Sequence, residues 1–129
     1  MNILLSLFIF IAAQSSAKPI EVHQLIAHAA LEQVGVTIVY APDSNIDHRR
    51  VPNLMKFFQR QGKKLSLSDL YQPGDIVAWQ LEYGLYHIGI VTDEIAPSEK
   101  RYFMVHNIGA GAKKEDVLYK YKIIGHYRW

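Results

Sequence analysis

The chain has 129 residues, half of them apolar, with 14 Lys and Arg against 12 Asp and Glu, six His and no Cys. That length leaves room for one small domain, and a formal charge of +2, with acids interleaved among the bases, is no electrostatic footprint for nucleic acid. The absence of Cys excludes disulfides, a thiolate metal site and a Cys nucleophile.

Met1 to Ala17 reads as a secretory signal: an apolar stretch from Ile3 to Ala13, then Gln14, Ser15, Ser16 and Ala17, with small residues at both cleavage-determining positions. The stretch is shorter than the roughly 20 residues that span a bilayer. The expectation is therefore export to the periplasm or beyond, cleavage before Lys18, no stable membrane anchor afterwards, and one domain over residues 18–129. A helix is predicted from about Ile20 to Val34, with Val22, Leu25, Ile26, Ala29 and Ala30 as its apolar stripe and Gly35 closing it. Val36 to Tyr40 has strand composition, and Pro42, Asp43, Ser44 and Asn45 then form a loop. A second helix is predicted from Pro52 to Gly62, carrying Leu54, Met55, Phe57 and Phe58.

From Gly74 the pattern becomes short strands: Asp75 to Leu81, Tyr86 to Thr92, Arg101 to Asn107, and Val117 to Ile124 with a final piece through Trp129. Glu82, Tyr83 and Gly84 suit a hairpin turn, and Ala96 to Ser98 another. Helices followed by closely linked strands predict an α+β fold, an antiparallel sheet with helices packed on one face.

His87 opens the run His87-Ile88-Gly89-Ile90-Val91, where Gly89 removes a side chain beside the imidazole, as happens where a ligand or another backbone comes close. An imidazole suits general-base work. If the next strand is its antiparallel neighbour, His106 or Asn107 lies near His87 and can orient its ring. The competing reading is two strand-end histidines bonded to nearby carbonyls. Asp47, His48, Arg49 and Arg50 form a candidate anion-binding segment, a carboxylate and an imidazole followed by two guanidinium forks; bracing of the loop accounts for them equally well. Tyr71 to Asp75 reads as architecture, a turn feeding a strand. Gly109, Ala110 and Gly111 lack the remaining features of a phosphate loop, and His126 is expected to pack among the terminal aromatics. His28 and Glu32, one helical turn apart, are too few for a metal site, so neither metal nor cofactor is expected.

Together, Asn45 to Leu54 (NIDHRRVPNL), Tyr71 to Trp79 (YQPGDIVAW), His87 to Val91 (HIGIV), His106 to Ala110 (HNIGA) and Gly125 to Arg128 (GHYR) resemble a bacterial exported, amidase-like family of unknown function placed in the NlpC and papain-like superfamily of cysteine peptidases and amidases. The resemblance implies a papain-like core, with a Cys at the start of a helix packed on the sheet, the base at His87 and the orienting group at His106 or Asn107. It also implies substrates or ligands among peptidoglycan peptides. In such an enzyme the imidazole deprotonates the thiol, which attacks the amide carbon.

The chain departs from that pattern at the nucleophile. The family pattern has a segment with a Cys-Thr-Asp motif between the positions resembling Tyr40 and Pro42, whereas here Ala41 alone joins them. Ser44 is the nearest hydroxyl and lacks a helix terminus to assist it. Three readings follow: a catalytically impaired relative whose cleft, lined by His87, His106, Arg49 and Arg50, binds a cell-wall peptide or a protein partner; a non-functional remnant with an internal deletion; or a hydrolase using an atypical nucleophile or a metal. Under the first reading, removing a surface imidazole at His87 costs only ~0.5 kcal/mol of stability.

Overall fold

The computed structural model describes residues 21–35, 50–97, 101–107 and 111–129. The predicted signal, the predicted Val36 to Tyr40 strand, Ser44, and the candidate ligand-binding residues Asp47, His48 and Arg49 lie outside the described residues. Among those described, two helices, α1 (Val22–Glu32) and α2 (Val51–Arg60), precede five strands: β1 (Ile76–Gln80), β2 (Tyr86–Ile95), β3 (Tyr102–Asn107), β4 (Ala112–Glu115) and β5 (Lys122–Tyr127). The strands form one sheet in the order β4-β3-β2-β1-β5, and every neighbouring pair is antiparallel. The α+β class, the antiparallel sheet and the helices on one face are as expected.

Within α1 the predicted stripe is rotated. Val22, Leu25 and Ala29 are exposed, while Ala27 and Ala30 are buried and His23, Ile26 and Leu31 half-buried. The inner positions 23, 26, 27, 30 and 31 keep the three-and-four spacing of a helical face, so two faces of this helix satisfy the same periodicity and packing against β2 chooses between them. α2 begins with Arg50 as its N-cap and Pro52 in its first turn, where a fixed φ is already helical. Its carbonyl partner at the start is Arg50 O, which accepts from the amides of Asn53 and Leu54, both at 3.0 Å.

Strand alternation divides the sheet into two faces. Ile76, Ile88, Ile90, Val105 and Ala112 share the helix side with Ala30 and Phe58 and surround a cavity of about 350 Å³. The opposite face holds the buried core cluster: Val77, Trp79, Val91 and Met104, closed over by Val117 and Leu118. Burying each such side chain contributes about 1.5–3 kcal/mol. The Trp79 indole Nε1–H donates to the Leu118 carbonyl at 2.9 Å, which pins that covering loop.

Two departures concern the C-terminal third. The predicted strand from Val117 to Ile124 does not exist as such; residues 117–121 form the covering turn, and strand pairing resumes at Lys122. β4 was not foreseen, because Lys113, Lys114 and Glu115 have low strand propensity; they are tolerated on a short charged edge strand. In β5 the pairing with β1 shifts between Ala78 and Trp79, so that Ile123 and His126, three residues apart, both lie over the core face.

Candidate functional site

The register places Trp79 opposite His87 and Gly89 opposite His106. Residues two apart on a strand share a face, so Trp79, His87, Gly89 and His106 all project to the core side, away from the helices. A Cβ on Gly89 would lie 2.8 Å from the Trp79 ring. The absent side chain therefore makes room for the indole, and not for a ligand beside the imidazole as the sequence suggested. That indole stacks on His87, with ring centroids 5.8 Å apart and planes 19° from parallel.

His87 Nε2 and His106 Nδ1 are hydrogen-bonded at 2.9 Å. His106 Nε2 is bonded in turn to a Glu115 carboxylate oxygen at 2.6 Å, giving a carboxylate–imidazole–imidazole chain across β4, β3 and β2. The His106 side chain is 1% exposed and that of Glu115 48%. Of the two predicted orienting groups, His106 fills the place. Asn107 points to the helix side, where its Oδ1 accepts from the Gly111 amide at 3.3 Å and closes the β3–β4 connection. Among the described residues no buried side-chain nitrogen or oxygen lacks a partner, and no hydrogen bond is made by Nδ1 of His87.

His87 is only 9% exposed. Burial, and after it the neighbouring His106, lower its pKa from 6.5 to about 4, so the ring is neutral at physiological pH. This corrects the expectation of a surface imidazole whose removal is nearly neutral. Loss of His87 would strand the His106 hydrogen bond and empty a stacked site.

Arg50 is exposed at the start of α2 and is bonded to neither histidine. No hydrogen bond among the described residues therefore links Arg50 to the imidazole pair, and Arg49, the other arginine of the predicted cleft, lies outside them. The 350 Å³ cavity has His106 and Gly89 in its wall but otherwise belongs to the helix side of the sheet. His28 bonds Asp93 at 2.8 Å, and the described residues contain no group of three or more His, Asp or Glu arranged to hold a metal.

A second polar centre joins the Tyr71 to Asp75 and Gly125 to Arg128 motifs. Asp75 is fully buried and accepts from His126 Nε2 at 2.7 Å, from the Gln72 amide at 2.9 Å, and from Arg128 through both oxygens at 2.8 Å. Burial by itself would raise the Asp75 pKa, but the Arg128, His126 and Gln72 hydrogen bonds outweigh it and hold the carboxyl below its usual value. His126 stacks on Tyr71 at 4.2 Å, so its packing partner is not a terminal aromatic as expected. Gly74, at φ 86°, passes so close to the His23 carbonyl that any Cβ would collide with it. This centre is a structural clasp with every acceptor engaged.

Sequence reasoning missed two contributors to the histidine site, Glu115 and Trp79, both brought in by strand register. The structural role of Asp75 agrees with the reading of its turn motif as architecture.

Fold and site together define an α+β domain with a carboxylate-braced imidazole pair set into the core face of an antiparallel sheet. The family model described as "Domain of unknown function (DUF1287)" matches residues 17–129, and the chain belongs to that family. It is 53% identical over 91 residues to the uncharacterized protein YijF of Escherichia coli (strain K12), an alignment covering 68% of this chain and 44% of that protein. The chain thus spans less than half the length of that relative. No solved structure matches.

Proposed function

We propose that the chain is a catalytically impaired, amidase-like protein of papain-like descent, exported, that holds cell-wall peptides at His87 without cutting them. The observation that carries this reading is His87 Nε2 bonded to His106 at 2.9 Å, with no hydrogen bond at Nδ1 among the described residues, the arrangement of an acyl-transfer base and its orienting partner, and no Cys in the chain to use it. A base with a pKa of about 4 is also poorly matched to proton abstraction near pH 7, while a neutral ring remains a good hydrogen-bond acceptor. A peptide amide N–H is the natural donor to it.

Isothermal titration of the full chain with peptidoglycan stem peptides tests this. Binding is expected, with His87→Gln weakening it by about tenfold, the equivalent of ~1.4 kcal/mol and of one hydrogen bond. Equal affinities of parent and variant would sink the reading, provided near-ultraviolet circular dichroism shows both folded. Turnover abolished by a chelator would instead indicate a metal-dependent hydrolase. A mature chain beginning at Lys18 is expected on N-terminal sequencing of the exported protein.

A further inference from the structure

We propose that Glu115 is the positioning residue of this site: its carboxylate sets the tautomer of both imidazoles and leaves His87 Nδ1 as an open acceptor for a ligand that donates an N–H or O–H. The inference deepens the peptide-binding reading and rests on it for the identity of the ligand.

The argument starts from what each group can do. An ionised carboxylate only accepts hydrogen bonds. Its 2.6 Å contact with His106 Nε2 therefore requires the proton on that nitrogen, as donor to Glu115. With His106 neutral, its other nitrogen is bare and accepts, so the 2.9 Å contact with His87 then places the proton on His87 Nε2. His87 Nδ1 is left with its lone pair and, among the described residues, no donor to it. Each step follows from the one before, and the direction of the whole chain is set at its far end, about half in solvent, by Glu115. A donor at position 115 would reverse it, placing protons on both Nδ1 atoms and turning His87 from acceptor to donor.

Among the described residues, the elements packed around the pair offer no rival. Trp79 meets His87 and His106 through its ring, and its indole N–H is committed to the Leu118 carbonyl. Lys113, opposite His106 in the register, is exposed and forms no bond to either ring. Glu115 contributes no buried surface of its own to the core cluster, so its replacement leaves the hydrophobic packing in place.

The test is nitrogen-15 NMR of the histidine rings in the full chain at pH 7, which distinguishes a bare from a protonated ring nitrogen without any ligand. In the parent, both rings are expected to carry the proton on Nε2 and to have bare Nδ1 atoms. In Glu115→Ala the His87 Nδ1 signal is expected to move toward the protonated position as the two tautomers mix. If Glu115→Ala does not fold, Glu115→Lys supplies the reading, with Nδ1 protonated on both rings. A protonated His87 Nδ1 in the parent, or tautomers unchanged in a folded variant, overturns the proposal. The peptide titration is read separately: parent tautomers as expected with no peptide binding would discard the ligand reading and leave the role of Glu115 standing.

Discussion

The burial of His87 has a consequence measurable with no ligand present. Its pKa falls from 6.5 in the unfolded chain to about 4 in the folded one, through desolvation first and His106 second. Between those values the unfolded chain binds a proton that the folded chain does not, so stability rises with pH across the window. His87 thus contributes nothing unfavourable above about pH 6.5, and costs about 1.4 kcal/mol for each unit by which the pH falls from there toward 4. Urea unfolding at pH 7 and pH 5 is expected to show this loss in the parent, with a slope reduced by about that amount per unit in His87→Gln. Identical slopes would mean that the ring is not desolvated in solution. The residues His87 and His106 were legible as a pair because both are polar interruptions of apolar strands in consecutive positions. Their roles relative to Asn107 were not, since a one-residue step along β3 changes the face.

At the scale of elements, the sheet is organised by where Trp79 goes. Its ring lies against Gly89 of the neighbouring strand, and stacking on His87 fills the space beside it. Gly89→Ala is expected to destabilise the protein by about 1–3 kcal/mol, because a methyl 2.8 Å from ring carbons forces either the indole or the strand to shift. The same variant should perturb the near-ultraviolet dichroism of the tryptophans; a folded, equally stable Gly89→Ala would show that the indole has freedom the packing denies it. α2 and β1 to β3 lie close to where periodicity and turn residues placed them. β4 did not, since nothing in Lys113-Lys114-Glu115 distinguishes an edge strand from a solvated charge run. The facing of α1 was also open, for its exposed side carries Val22 and Leu25 at the same spacing as its buried side.

Across the whole molecule, the Asp75 clasp ties the start of β1 to the end of β5, residues 51 and 53 positions apart in the chain. Such a contact exists only when the sheet is complete, so it reports cooperative folding. Asp75→Asn removes the charge that Arg128 and His126 face in a fully buried position, and is expected to cost about 3–5 kcal/mol. The depressed Asp75 pKa gives this clasp a sign as well: its contribution is full above the ordinary carboxylate pKa and is lost as acid protonates the folded group. A sharp thermal transition of the parent, lowered in Asp75→Asn, is the expected result. A featureless melt of the parent would favour the remnant reading, in which the internal deletion leaves no cooperative core.

The sequence by itself determined the composition and the order of elements: no Cys among the 129 residues, two helices before a run of antiparallel strands, and two imidazoles on neighbouring strands. Those are properties of composition and of local period, and they need no knowledge of distant contacts. Only the tertiary structure decided that the imidazoles face the packed core side and not the helices, that Glu115 closes their chain, and that Asp75 is a buried hub. Each of these depends on register across strands and on loops folding back over the sheet, where a shift of one residue would exchange the two faces.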